Sequence, residues 1–412
     1  LTAPSLVDHF FRHEYGRLVA MLACRIGVEH TEDVEDAVQS AMMSALEHWT
    51  ISGLPDNPSA WLFRAAQNNL MGELRQRTRR RRILQEQAAD DVGTGDGPDV
   101  FLAGELQDEL LRMLFVCCDD AIPPESQLVF ALKTLCGFDV REIAIRLFAS
   151  EANVYKRLGR ARSRLRELRP KMDGLSQEQL SLRLPAVHKV LYLLFTEGYL
   201  SSSAEMALRR ELCDEAIRLT NLLAEHPAGQ SPETCALLSL MHLHVARMSA
   251  RQDGTGGLLL LEEQDRDLWN QNGIQEGLKW LAKSAEGDSF SRYHAEAGIA
   301  AEHCLAPCFA ETRWDKVAEC YELLEQRVTS PIHRLNRAVA VAEWKGATEG
   351  LAILDGFEPP TWLAGSYLWS AVLADLHRRC GNSTEAERCR EVALDSAPTP
   401  QVKELLQRRL ET

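Results

Sequence analysis

The chain has 412 residues, 45% hydrophobic and 26% charged, which is too long for one ordinary core and reads as a soluble globular protein of two or three domains. No stretch approaches the roughly 18 apolar residues of a membrane span, and "GLLLLEEQ" is short and ends in acids. The formal charge of −14 argues against a nucleic-acid partner as a sum but not as a distribution, because basic residues gather in "RQRTRRRR" (Arg75 to Arg82) and "NVYKRLGRARSRLREL" (Asn153 to Leu168).

Helix-forming residues dominate and strand-like alternation is scarce, so the expected class is all-α. The first block runs from about Ser5 to Arg82. Thr31 reads as an N-cap, with Glu32, Asp33, Glu35 and Asp36 in the first turns, where acids complement the helix dipole. Val34, Val38, Ala41, Met42 and Ala45 recur at helical spacing and face a core, whereas Asp33, Asp36, Gln39 and Met43 point largely the other way. "SGLPDNPSA" is a loop, and Ser59 caps the helix that begins "AWLFRAAQNNLMGELRQR".

From Gln85 to about Gly104 the chain is poor in apolar residues and rich in Gly and acids, as an acidic linker would be. A second helical block spans about Glu105 to Lys171. Within it, Val140, Ile143 and Leu147 form one apolar stripe with the small Ala144. Ala149 and Ser150 interrupt, and Val154, Leu158, Ala161 and Leu165 form a second stripe. This is the pattern of a helix-turn-helix, with Ser150 capping the second helix. Asn153, Lys156, Arg157, Arg160 and Arg164 share the face opposite that second stripe, where a recognition helix meets guanine edges and phosphates in a major groove.

"MDGLSQEQ" marks a further boundary, and helix-sized apolar segments follow to the end. Ala374, Gly381, Ala386, Ala393 and Pro398 fit a tetratricopeptide-like unit of about 34 residues. Gly346 occupies a similar helix-turn-helix setting about one repeat earlier, and "WDKVAECYELLEQRVTSP" reads as half of another unit.

No catalytic or cofactor motif emerges. GxxxxGK[ST], GxSxG, HExxH and paired CxxC are all missing, and "DGTGG" reads as a turn. His242 and His244 read as core or surface residues. The eleven cysteines sit mostly in helix-like patterns and imply no disulfide framework, so a reducing compartment, the cytoplasm, is expected. Cys304 and Cys308 beside His303 have loose spacing and no completing pair, so neither a metal nor another cofactor is expected. The N-terminus shows no basic stretch followed by an apolar run, and no secretory signal is expected.

"EDVEDAVQSAMMSALEHW", the loop, and "SAWLFRAAQNNLMGELRQRTRRRR" together resemble region 2 of the group-4, or extracytoplasmic-function, sigma factors of bacterial RNA polymerase, and the helix-turn-helix resembles their region 4. "VLYLLFTEGY", "LLEEQDRDLWN" and "SPIHRLNRAVAVAEWKG" resemble the subgroup with a long tetratricopeptide-like C-terminal extension. The resemblance implies region 2 over 1–83, a linker over 84–104, region 4 over 105–172 and the extension over 173–412. It implies that Asp33, Glu35, Asp36 and Gln39 dock on the β′ coiled coil of core polymerase. It places the capture of a flipped base of the −10 promoter element on the loop with Leu54 and Asn57 and on Trp61 and Asn68. Arg75, Arg77, Arg79 and Arg80 follow the DNA backbone, and Ser150, Asn153, Lys156, Arg157, Arg160 and Arg164 read the −35 element. The acidic linker then threads toward the RNA path. Two positions depart from the pattern: Gly72 stands where members often carry Asp, and Gln67 where a basic residue is common.

The expected function is therefore a non-enzymatic sigma factor whose partners are core polymerase, through its β and β′ subunits, and promoter DNA. The extension regulates or supports it in cis and offers a concave surface suited to peptides or proteins. The competing reading is a free-standing helix-turn-helix regulator with a helical sensor domain, which has no need of the N-terminal block.

Overall fold

The computed structural model describes residues 3–84, 109–147, 149–168, 175–199, 208–253, 257, 259–398 and 400–411, without the side chains of 3–13, 77–84, 400–401 and 411. All regular elements among them are helical, as expected. The expected acidic linker lies outside the described residues. The chain divides into two compact units, one of Leu1–Gly198 with Asp214–Gly229, the other of Tyr199–Cys213 with Gln230–Thr412.

The first unit opens with α1 (Ala3–Ile26), α2 (Thr31–Ser52) and α3 (Pro58–Leu84). The apolar stripe of α2, Val34, Val38, Ala41, Met42 and Ala45, is buried against Leu18, Val19 and Leu22 of α1 and Leu62, Ala66 and Leu70 of α3. Two caps differ from the sequence reading. Thr31 is the first residue of α2 rather than its cap, and its hydroxyl donates back to the Val28 carbonyl. α3 is capped by Asn57 rather than Ser59: its Oδ1 accepts the Ala60 amide at 3.0 Å, because Pro58 starts the helix two residues earlier.

Next come α4 (Glu109–Cys117), α5 (Pro124–Thr134), α6 (Val140–Arg146) and α7 (Glu151–Leu168). A reciprocal capping box starts α6: Asp139 Oδ1 accepts the Glu142 amide at 2.6 Å and Glu142 Oε2 accepts the Asp139 amide at 2.8 Å. Ser150 caps α7 as expected, its Oγ accepting the Asn153 amide at 3.3 Å. Ile143, Ala144, Val154, Leu158, Ala161 and Leu165 are buried, which fixes α7 by its apolar stripe and leaves the basic face outward.

The first bundle and the helix-turn-helix bundle pack on each other within this unit. α1 packs on α4, and α7 on the turn Val28–His30 ahead of α2. Gly16 of α1 lies so close to the loop after α5 that a Cβ there would stand 1.8 Å from the Leu135 carbonyl oxygen.

Then follows α8 (Gln177–Tyr199), the first helix of the expected extension, which through Gly198 is part of the first compact unit. Two ion pairs tie it to the helix-turn-helix bundle. Arg183, 4% exposed, pairs with Asp119 and donates to the Phe115 carbonyl at 3.2 Å. Fully buried Glu197 accepts from Arg146 Nε at 3.0 Å.

Beyond α9 (Arg210–Glu225), the second unit contains α10 (Pro232–Ala246), α11 (Gln271–Ser284), α12 (Arg292–Leu305), α13 (Trp314–Arg327), α14 (Pro331–Lys345), α15 (Ala347–Leu354), the short α16 (Thr361–Ala364), α17 (Tyr367–Arg379), α18 (Ser383–Asp395) and α19 (Pro400–Glu411). Most of these helices pack on their chain neighbours, as in a stack of helix pairs. Gly346 and Gly381 turn the chain at φ 106° and 77°, between α14 and α15 and between α17 and α18, where an L side chain would be strained. Ala374 and Ala393 of the last pair are buried together with Cys389.

Asp119 and Arg183 form a buried pair whose members cannot be separated cheaply. Arg183→Ala is expected to destabilise the first unit by about 3–5 kcal/mol, because it strands the Asp119 carboxylate. Arg183→Met, which keeps the packing volume, should leave the same deficit. Hydrogen exchange of the α4 and α5 amides, with the second unit as internal reference, measures it.

Candidate functional site

The exposed side of α7 carries Asn153, Lys156 and Arg160, with Arg157 half-buried beside them. Ser150 at its start is exposed, although its hydroxyl is engaged in the cap. Arg164 is exposed too, but its Nη1 donates to Glu167 at 2.7 Å and its Nε to the Ala121 carbonyl at 3.3 Å. These residues therefore form one basic strip along a helix held from behind by Val154, Leu158, Ala161 and Leu165. Such a strip suits a groove lined by phosphates.

The acidic face of α2 is divided. Asp36 and Gln39 are exposed, as is Met43 at 65%. Asp33, read as pointing away from the core, is instead buried at 8% exposure, with His30 Nδ1 3.5 Å from its carboxylate. Glu35 is 4% exposed and faces the helix-turn-helix bundle. Its Oε1 accepts from Thr134 Oγ1 at 2.6 Å and its Oε2 pairs with Arg162 of α7. Glu32 pairs with Arg166, and Arg162 Nη1 stands 3.5 Å from it. Beneath this polar seam Val28, Phe130 and Leu165 are buried. Burial, with the Glu35 charge in second place, raises the Tyr15 hydroxyl above the usual tyrosine range, so that phenol stays neutral against the seam.

Sequence reasoning missed this seam. Glu32 and Glu35 at a three-residue spacing, and Arg162 and Arg166 at a four-residue spacing, each set two like charges on one helix face. That pattern was legible, but not that the two faces meet.

The residues expected to capture a base are spread over the loop and α3. Leu54 is 70% exposed. Asn57 uses its Oδ1 for the cap of α3. Trp61 is half-buried on the bundle core, 5.6 Å centroid to centroid from Trp49 in an edge-on arrangement. Asn68 and Arg75 are exposed on α3, and so are Gly72 and Glu73. Arg77, Arg79 and Arg80 continue the same helix, with side chains outside the described ones.

Residues 11–80 match the model of Sigma-70 region 2, and residues 112–165 that of Sigma-70, region 4. Residues 183–285 match a family of unknown function, DUF6596. An uncharacterized protein of Rhizobium meliloti (strain 1021) is 33% identical over 355 residues, which covers 85% of this chain and 83% of the relative. No solved structure matches. With both promoter-reading regions matched in order, and the extension matched behind them, the chain belongs to the sigma-70 family as an extracytoplasmic-function-type sigma factor of RNA polymerase with a C-terminal helical extension, and it serves promoter-specific transcription initiation.

Proposed function

We propose that this sigma factor docks on the β′ coiled coil of core polymerase through the acidic face of α2, and that the described conformation is a closed one in which part of that face is taken by its own DNA-reading helix. The observation that carries this reading is the engagement of Glu35 and Glu32 by Arg162, Arg166 and Thr134. Asp36 and Gln39 stay exposed and give polymerase a first contact. Two bundles that read separate promoter elements must part to reach them, so core binding and opening of the seam are coupled equilibria. Leu54 and Asn68 are the groups best exposed to meet a −10 base, with Trp61 supporting the loop from below. Asn57 acts there through the loop shape that it caps. Arg75, Arg77, Arg79 and Arg80 follow the backbone of the same strand. Binding energy rather than covalent chemistry does the work, in the cytoplasm where polymerase acts.

For the extension, a supporting role is favoured over a masking one. Its first helix, α8, holds the helix-turn-helix through Arg183–Asp119 and Arg146–Glu197. Within the first unit α8 leaves the strip of Asn153, Lys156 and Arg160 on α7 uncovered. The extension thus braces region 4, and the stacked pairs behind it offer a surface to a protein or peptide.

Replacing Arg162 and Arg166 with Ala should tighten binding to core polymerase by about 5- to 150-fold, the range of typical coupling energies. Gly16→Ala removes no charge yet forces the same two bundles apart, and it should act in the same direction. Asp36→Arg should weaken core binding. Pull-down titrations with core polymerase measure all three. Unchanged affinity in both opening variants would dispose of the closed-state reading, and normal binding by Asp36→Arg would dispose of the docking face.

Arg157→Ala and Arg160→Ala should each weaken binding to a −35 duplex by about 1–3 kcal/mol if they pair with base edges, and should relax preference at single positions. A loss equal on all sequences, with a shallower salt dependence, would assign them to phosphates instead.

A further inference from the structure

Two sequence motifs that the sigma activity does not use converge in the second unit. "VLYLLFTEGY" ends in Tyr199, and "LLEEQDRDLWN" supplies Arg266 and Trp269. They meet Arg247 and Arg251, which follow α10. The Arg247 and Arg266 guanidinium carbons stand 5.4 and 4.4 Å from the centroid of the Trp269 ring, and that of Arg251 stands 3.9 Å from the Tyr199 ring. Arg247 is 7% exposed and Trp269 4%.

This group holds three permanent positive charges, and among the described residues no carboxylate pairs with any of them. Arg266 Nη1 donates to the His303 and Ala306 carbonyls at the end of α12, both at 2.7 Å. Arg251 donates to the Tyr199 carbonyl. These contacts and the stacked rings accommodate part of the charge. They leave three buried donors, Arg247 Nε, Arg266 Nη2 and Trp269 Nε1, with no acceptor among the described residues. The neighbouring imidazoles add no anion. Burial, then the Arg247 and Arg266 charges, pushes His303 down to about 3, and burial followed by Arg247 holds His244 well below its ordinary range. Buried donors and buried cations are normally satisfied or paired. A group that only accepts hydrogen bonds and carries negative charge completes both deficits at once.

We propose that Arg247, Arg266 and Trp269 form a binding site for a small oxyanion, the phosphate or carboxylate group of a small molecule. Arg266 and His303 are only half-buried, so the site is approached from their side. The two guanidiniums, stacked on one indole, present a preformed fork, which suits planar or tetrahedral oxyanions and discriminates against chloride. The site lies wholly in the second unit, so its occupancy is a chemical input to the extension of the sigma factor.

Isothermal titration of the full chain with inorganic phosphate and, separately, with succinate tests this at ionic strength held constant with sodium chloride. Saturable binding of either is the expected result, and the one that binds identifies the head group. Arg247→Met should weaken that binding by about tenfold or more, as loss of a charge-assisted hydrogen bond does. Trp269→Phe keeps a six-membered aromatic face but removes the pyrrole ring with its N–H, and it should weaken binding with the helical circular dichroism unchanged. No saturable heat with either anion would overturn the proposal. So would binding that both variants leave intact, which would put the ion elsewhere.

Discussion

The buried carboxylate of Glu35 is the constraint on which the first unit turns. A carboxylate at 4% exposure is tolerable only with hydrogen bonds and a counter-charge, and both come from the other bundle, through Thr134 and Arg162. The seam that joins the first bundle to the helix-turn-helix bundle is therefore polar where it is specific and apolar where Val28, Phe130 and Leu165 close it. A polar seam suits the opening proposed for it, because both surfaces can be solvated or re-paired afterwards. An apolar interface of the same extent would resist separation. The close approach of Gly16 to the Leu135 carbonyl supplies the shape complement to that charge complement.

The extension uses buried charge differently. Arg183 and Glu197 on α8 are committed inward, each to a partner on the helix-turn-helix bundle, so the contact reads as fixed structure rather than a switch. In the second unit, by contrast, buried Arg247 and half-buried Arg266 stack on the Trp269 ring with buried donor atoms left over. Satisfied ion pairs build the brace, and unsatisfied cations mark a place where something else belongs. The same physics of desolvated charge thus separates structural from functional arginines within one chain.

Much of the fold was legible because it depends on local periodicity. The stripes Val34 to Ala45 and Val154 to Leu165 became buried faces as read, since a helix that is apolar on one side has one stable way to pack. The turns at Gly346 and Gly381 were legible because a positive φ favours glycine. The caps were less so. Thr31 and Ser59 are good capping types, but Asn57 ahead of Pro58 fits the start of α3 better, and Thr31 was drawn one residue into α2. Asp33 was misread because a 3.6-residue period does not report burial at the helix start, where its carboxylate lies beside His30.

By itself the sequence determined the all-helical class, the helix-turn-helix, the outward basic strip of Asn153, Lys156 and Arg160, and the family of sigma factors to which the chain belongs. The first three rest on spacing along one or two neighbouring helices, which helical periodicity carries directly, whereas the family came from the resemblance of whole motifs. Only the tertiary structure decided that Arg162 and Arg166 face Glu35 and Glu32 across more than a hundred residues of chain. It alone brought Arg247, Arg251 and Arg266 together around Trp269 and Tyr199. Charges that meet across distant segments leave no periodic trace in the sequence, because the distance between them is set by packing and not by the rise of a single helix.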